Sequence, residues 1–348
     1  MTINIASTII PPFSTEAARA ATDRQGRLTK PAGSLGRLEE ISIKLAGMTD
    51  TVSPDLSPAL IAVFAADHGV TAQQISPYPS EVTAQMVYNY AHGGAVINAL
   101  ARNAGADLVV VDVGVAADLP GDLPIVHRKV RPGTGDWTVE SAMSLEEAEQ
   151  ALMVGADLVR QRPKLGLLAV GEMGIGNTTT ASVLSAAFTH FSVDLLVGRG
   201  AGVDDLGLQR KRDAVASGLA RLKGDPSPIT ILAEVGGLEI AAMTGAIIAA
   251  AERRIPIVLD GFISTCAAVA AVAICRPVRD YLIASHRSEE TGHRILLETL
   301  KLQPLLQLGM RLGEGSGAAL AIPLILAARD VLRDVATFEQ AGVSDRDR

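Results

Sequence analysis

Four stretches of this chain share one grammar, a short apolar run that closes on glycine or a polar residue. They are Leu60-Ile-Ala-Val-Phe-Ala-Ala-Asp67-His68-Gly69, Leu167-Leu-Ala-Val-Gly171-Glu172, Ile255-Pro-Ile-Val-Leu-Asp260-Gly261 and Tyr281-Leu-Ile-Ala-Ser285-His286. Runs this continuous suit strands buried on both faces, as in a parallel sheet covered by helices. In an open sheet of that kind the carboxyl ends of the strands border one crevice, so polar residues placed there converge on a ligand. An enzyme or a nucleotide binder is the leading expectation.

The alternation of patterns along the chain agrees. Strands are expected near 59–66, 107–113, 166–171, 255–259 and 281–285, and helices near 80–103, 144–161, 178–190, 205–222, 236–252, 262–275 and 289–300. That order predicts an α/β fold with a doubly wound, mostly parallel sheet flanked by helices. Before it, residues 14–50 read as helical, with Ser14 a candidate cap and a break around Lys30-Pro31-Ala32-Gly33-Ser34; residues 51–58 are a turn-rich link. One more long helix is expected over 317–335. Because both ends are helical, residues 1–50 and 325–348 are expected to form a small helical subdomain beside a large substrate-binding and catalytic domain, 51–324.

Composition narrows the partners. Hydrophobic residues make up 48% of the 348, enough for a large core or a subunit interface. The net charge of −7 and the 3% aromatic content leave little to grip or stack a nucleic acid, so none is expected. Cys266 and Cys275 lack C-x-x-C spacing and read as free thiols in a reducing cytoplasm. The N-terminus has no signal-peptide pattern, and the apolar stretch 262–275 is shorter than the roughly 20 residues of a membrane span, so no membrane association is expected. The six histidines show no zinc spacing, and neither a catalytic metal nor a cofactor is expected.

Three segments could carry chemistry. Gly171-Glu172-Met173-Gly174-Ile175-Gly176-Asn177-Thr178-Thr179-Thr180 puts a glycine-rich turn between a strand and a helix, where free amides and the helix dipole suit phosphate. It fails the Walker A pattern at Asn177 and G-x-G-x-x-G at Thr179; glycine that merely permits a tight turn is the alternative. Gly198-Arg199-Gly200-Ala201-Gly202 precedes Asp204-Asp205 and Arg210-Lys211-Arg212, so it suits either an anion-facing loop or a helix cap at one of the aspartates. In Met310-Arg311-Leu312-Gly313-Glu314-Gly315-Ser316-Gly317, Glu314 stands between glycines that cannot solvate it, and burial there would raise its pKa toward that of a general base. A helix-capping carboxylate is an equally good reading of Glu314. His68 and His286, at presumed strand ends, could orient loops or ligand, although a structural histidine is the commoner case.

Together these segments, with Lys30-Pro-Ala-Gly-Ser-Leu-Gly-Arg-Leu-Glu39, Ala66-Asp-His-Gly69, Leu259-Asp-Gly-Phe262 and Ser285-His-Arg-Ser-Glu-Glu290, resemble the nicotinate-nucleotide:dimethylbenzimidazole phosphoribosyltransferases of cobalamin synthesis, in matching order over residues 28–330. The resemblance implies transfer of phosphoribose from nicotinate mononucleotide to dimethylbenzimidazole or a related azole, with inversion at the anomeric carbon, giving α-ribazole 5′-phosphate and nicotinate. It implies Glu314 as general base and Glu172 as a second active carboxylate. Gly174, Ile175, Gly176, Asn177, Thr178, Lys211, Asp260, Ser288 and Arg311 match the nucleotide and phosphate site, and Tyr78, Met86 and Leu312 the benzimidazole slot. A homodimer is implied as well. Ala32 and Ala201 depart from the common pattern, which has Pro and Thr there. The competing expectations are a dinucleotide- or ATP-dependent Rossmann-like enzyme, weakened by the failed glycine motifs, and a non-catalytic nucleotide sensor.

Overall fold

The computed structural model describes residues 5, 8–200 and 202–344, so Ala201 and the extreme ends of the expected helical subdomain lie outside the described residues. Six parallel strands form one sheet: β1 (Ala59–Ala66), β2 (Asp107–Gly114), β3 (Val126–His127), β4 (Leu167–Met173), β5 (Ile257–Leu259) and β6 (Leu282–Ala284). Their order, β3-β2-β1-β4-β5-β6, is that of the doubly wound dinucleotide-binding folds. Every residue of β1 is buried, as its unbroken apolar run requires of a central strand.

The helices are α1 (Thr15–Gln25), α2 (Arg37–Thr49), α3 (Glu81–Ala91), α4 (Val96–Ala104), α5 (Leu145–Arg160), α6 (Asn177–Thr189), α7 (Val193–Leu196), α8 (Asp205–Arg221), α9 (Pro228–Val235), α10 (Leu238–Glu252), α11 (Phe262–Ile274), α12 (His293–Leu300), α13 (Ser316–Asp334) and α14 (Phe338–Ala341). Several differ from expectation for local reasons. Gly93, at φ +77°, splits the expected 80–103 helix into α3 and α4. β3, only two residues long, is defined by its pairing with Val111 and Asp112 and has no periodicity to betray it. Ser227 capping with Pro228 at the first helical position marks α9, a helix absent from the expected set. Ser14 does cap α1, accepting from the Ala17 amide, and Asp204 caps α8 through the Gly207 amide.

Chain ends meet. Ala17 and Ala21 of α1, Ala46 of α2 and Leu332 of α13 form a small apolar cluster, and the Arg24 guanidinium donates to the carbonyls of Leu332, Arg333 and Val335 at the end of α13. On their other faces α2 and α13 enter the main core through Leu45, Met48, Ile322 and Ile325.

α10 is apolar apart from Glu239 and Thr244 and buried from Leu238 to Ala251, so it must be enclosed: the sheet lies against it along β1, β2 and β4, and α5 and α11 pack beside it. Contact with α5 runs backbone to backbone. A Cβ built on Gly155 would lie 1.7 Å from the Ala242 carbonyl oxygen, and one on Gly245 1.8 Å from that of Leu152. Since backbone atoms cannot swing aside, Gly155→Ala or Gly245→Ala should lower stability by about 1–3 kcal/mol or more. Urea titration should show the lost midpoint with an unchanged slope, and an unaltered midpoint would contradict the packing.

Candidate active site

β1 and β4 are neighbours in the sheet, yet the chain continues from β1 to β2 on one side and from β4 to β5 on the other, which opens a crevice at their carboxyl ends. β4 ends in Glu172 and Met173, and a three-residue turn leads into α6. Glycine is required in that turn: a Cβ on Gly174 would lie 2.3 Å from the Ala66 carbonyl oxygen, and Gly176 has φ +102°. The Ile175 amide donates to Thr83 Oγ1 at 3.1 Å, and the Asn177 side-chain amide donates to Glu172 Oε2. Among the described residues the amides of Gly176 and Thr178 have no hydrogen-bond partner and remain free at the start of α6.

Lys211 projects from α8 toward this turn. It is 2% exposed, and among the described residues it has no ion pair or hydrogen bond. Burial pushes its ammonium down to about 8, against the pull of Glu290. The turn, from Gly174 to Thr179, and Lys211 line a niche of about 70 Å³. Free amides, a helix start and a buried unpaired cation suit this niche to an anion.

The niche shares Gly174, Ile175, Asn177 and Thr178 with a cavity of about 440 Å³. Glu314 stands in the wall of this cavity. Gly313, Glu314 and Gly315 all have left-handed backbones, at φ +87°, +65° and +85°. A non-glycine residue in this region is strained and persists only where its surroundings hold it. Asp260, at the end of β5, supplies the hold: Oδ2 accepts from the Gly315 amide at 3.1 Å, and Oδ1 from Gly317 at 2.6 Å and Ala318 at 3.2 Å. Hydrogen bonds to an ionised group are worth about 1.5–3 kcal/mol each. Gly171 lets the turn lie flat on β4, since a Cβ there would come within 2.5 Å of the Gly315 nitrogen.

Glu314 is 6% exposed, and its Oε2 has no hydrogen-bond partner. Burial raises its pKa; the Ile97 amide and Tyr90 hydroxyl oppose the rise, and the charge of Asp260 adds to it. Glu172 is pushed up to about 8 by burial first and then by the charges of Asp260 and Glu239. Burial thus raises both carboxyls.

Most residues singled out from sequence meet here. Tyr78, Met86, Glu172, Gly174, Ile175, Asn177, Thr178, Ser288, Arg311, Leu312 and Glu314 line the cavity, and Gly176 and Lys211 line the niche. Arg311 donates to the Gly200 carbonyl at 3.1 Å. Asp260 lines neither; it is 2% exposed and spent on the amides of the Glu314 turn. Helix capping at α13 thus comes from Asp260 across the fold, not from Glu314. Sequence reasoning missed Val82, Met173, Phe262 and Ile263 in the apolar wall, because each reads as ordinary core, and Glu290 beside Lys211. His286 also lines the cavity, 3.6 Å from Asp260. A larger groove, about 780 Å³, lies along α5 and the segment after β3 but brings together none of these groups. Chemistry, more than volume, picks out the smaller cavity.

Comparison with known proteins points to one family. The DBI_PRT phosphoribosyltransferase family model matches residues 10–343. The nicotinate-nucleotide–dimethylbenzimidazole phosphoribosyltransferase of Chloroflexus aurantiacus is 50% identical over 340 residues, 97% of either chain. That of Chromobacterium violaceum is 50% identical over 339 residues, covering 96% of this chain and 98% of its own. The crystal structure of CobT from Thermus thermophilus superposes with a TM-score of 0.92 at 47% identity, covering 94% of this chain and 99% of its own.

The niche makes inorganic phosphate a direct probe. Phosphate should raise the melting temperature of the parental protein, and Lys211→Met should abolish most of that rise. Because the ammonium is lost as pH climbs through about 8, the phosphate-induced rise should shrink above that pH. An equal rise in Lys211→Met, measured by thermal unfolding, would place the anion elsewhere.

Proposed function

The chain belongs to the nicotinate-nucleotide–dimethylbenzimidazole phosphoribosyltransferase family, and we propose that Glu314, Glu172 and the turn at 174–178 carry the transfer in it. It is a glycosyltransferase of cobalamin biosynthesis that moves phosphoribose from nicotinate mononucleotide to dimethylbenzimidazole.

In our reading the nucleotide phosphate sits in the niche, held by the amides of Gly176 and Thr178 and by the Lys211 ammonium. The azole lies in the apolar part of the cavity, against Tyr78, Met86 and Leu312. One ring nitrogen attacks the anomeric carbon while Glu314 takes the proton from the other. The bond to nicotinate breaks with its electron pair returning to the pyridine nitrogen, which loses its positive charge. Attack from the face opposite the leaving group inverts the centre and gives α-ribazole 5′-phosphate. Glu172, still protonated at neutral pH, adds no second anion beside Glu314 and offers a hydrogen-bond donor.

The observation that carries this reading is a buried carboxylate oxygen without a partner in the wall of the cavity that the anion niche adjoins. Anchoring the phosphate away from the reacting atoms supplies orientation, and proton removal by a placed carboxylate typically adds roughly 10²- to 10⁴-fold. We further read the protein as a cytoplasmic homodimer. Tyr78 and Leu312 are about half exposed at the cavity rim, an apolar edge suited to cover by a partner subunit, and both cysteines are free. Among the described residues no helix is long and apolar enough to cross a membrane.

Glu314→Gln should lower kcat by about 10²- to 10⁴-fold with the affinity for nicotinate mononucleotide largely retained. In the parental enzyme kcat/KM should fall on the acid side as Glu314 takes up a proton, at a pH above the ordinary carboxyl value of 4.5, and on the alkaline side above about 8 as Lys211 loses one. Product release followed by mass spectrometry across pH checks both. Parental turnover in Glu314→Gln would remove it as the base.

A further inference from the structure

His68 closes the β1 run yet has no part in the transfer as proposed above. It lines neither cavity nor niche, and its side chain is fully buried. Its Nε2 lies 2.9 Å from Glu239 Oε1 and its Nδ1 3.1 Å from Thr180 Oγ1, which also receives the Trp137 indole N–H at 3.2 Å.

The directions in this chain follow from donor capacity. An indole N–H can only donate, so Thr180 accepts from Trp137, and the arrangement that gives every group a partner sends its hydroxyl proton to His68 Nδ1. The ring proton is then on Nε2 and is given to Glu239, a carboxylate that can only accept when ionised. Trp137, Thr180, His68 and Glu239 form a one-way relay with no proton left over. Glu239 is fully buried in the first turn of α10, and its Oε2 has no partner. A carboxylate so placed strongly resists losing the one side-chain donor it has, which fixes the imidazole in place.

That imidazole is wedged under the phosphate turn. A Cβ built on Gly174 would lie 3.1 Å from His68 Nε2, one on Gly176 3.1 Å from His68 Cβ, and one on Gly237, ahead of α10, 2.6 Å from His68 Cε1. Thr180 belongs to the first turn of α6, the same helix whose start offers its amides to the anion. The relay therefore ties β1, α6 and α10 together directly behind residues 174–178.

We propose that His68, Glu239 and Thr180 are positioning residues that hold the phosphate turn in its anion-ready shape before the nucleotide arrives. This rests on the reading of that turn as the phosphate grip. Their effect falls on nucleotide binding, because none of them touches the reacting atoms.

Steady-state kinetics with nicotinate mononucleotide and dimethylbenzimidazole tests it, using the parental protein and the variants His68→Ala, His68→Gln, Thr180→Val and Thr180→Ser. Absence of turnover in the parental protein would sink the functional reading itself, separately from this inference. His68→Ala and Thr180→Val should raise KM for the nucleotide about tenfold, the size of one or two lost hydrogen bonds, and weaken competitive inhibition by inorganic phosphate in the same ratio. KM for dimethylbenzimidazole and kcat should stay within about threefold. His68→Gln, whose amide can still donate to Glu239, and Thr180→Ser should recover most of the loss. Should His68→Ala unfold, Thr180→Val, nearly identical in shape, decides. An unchanged nucleotide KM in Thr180→Val, or a parallel loss for both substrates that merely tracks a fall in melting temperature, would overturn the assignment.

Discussion

One aspartate holds the centre together. With both oxygens of its carboxylate, Asp260 grips three backbone amides at the start of α13, and so ties the end of β5 to a segment that lies more than fifty positions later in the chain. That grip helps to keep Gly313, Glu314 and Gly315 in three successive left-handed conformations. Glu314 is thus placed by backbone, with one side-chain oxygen left unengaged.

Burial then sets the electrostatics without any exotic group. The same desolvation that raises Glu172 and Glu314 lowers Lys211, bringing acids and amine toward one another on the pH scale. Asp260 spends both carboxylate oxygens on amides at the start of α13. Carboxylates within one small region thereby meet different surroundings: Asp260 is bound by amides, Glu172 by the Asn177 side chain, and Glu314 keeps one oxygen free.

Much of this is legible in the chain itself, and the gaps have physical causes. Apolar runs ending in polar residues mark the strands, since a central parallel strand must be apolar along its whole length, as β1 is. The glycine turn before α6 and the Gly-Glu-Gly turn before α13 can be read because only unusual backbone geometry explains glycine at that density. Asp260 stands out, but what it touches does not: a strand-end acid looks the same whether it faces substrate or a distant helix. Val82 and Phe262 are hidden for the opposite reason, because an apolar cavity wall and an apolar core have one sequence signature. Pairing of His68 with Glu239 joins residues 171 positions apart and leaves no local pattern to find.

The late position of the Gly313-Glu314-Gly315 turn affects how activity is acquired as the chain is made. Domains fold as they emerge from the ribosome, beginning at the amino end. The strands and the glycine turn before α6 are all synthesised ahead of α13, so a nascent chain can form the proposed anion niche while it still lacks Glu314. On the proposed mechanism, competence for chemistry arrives only with α13, after the whole sheet has been translated.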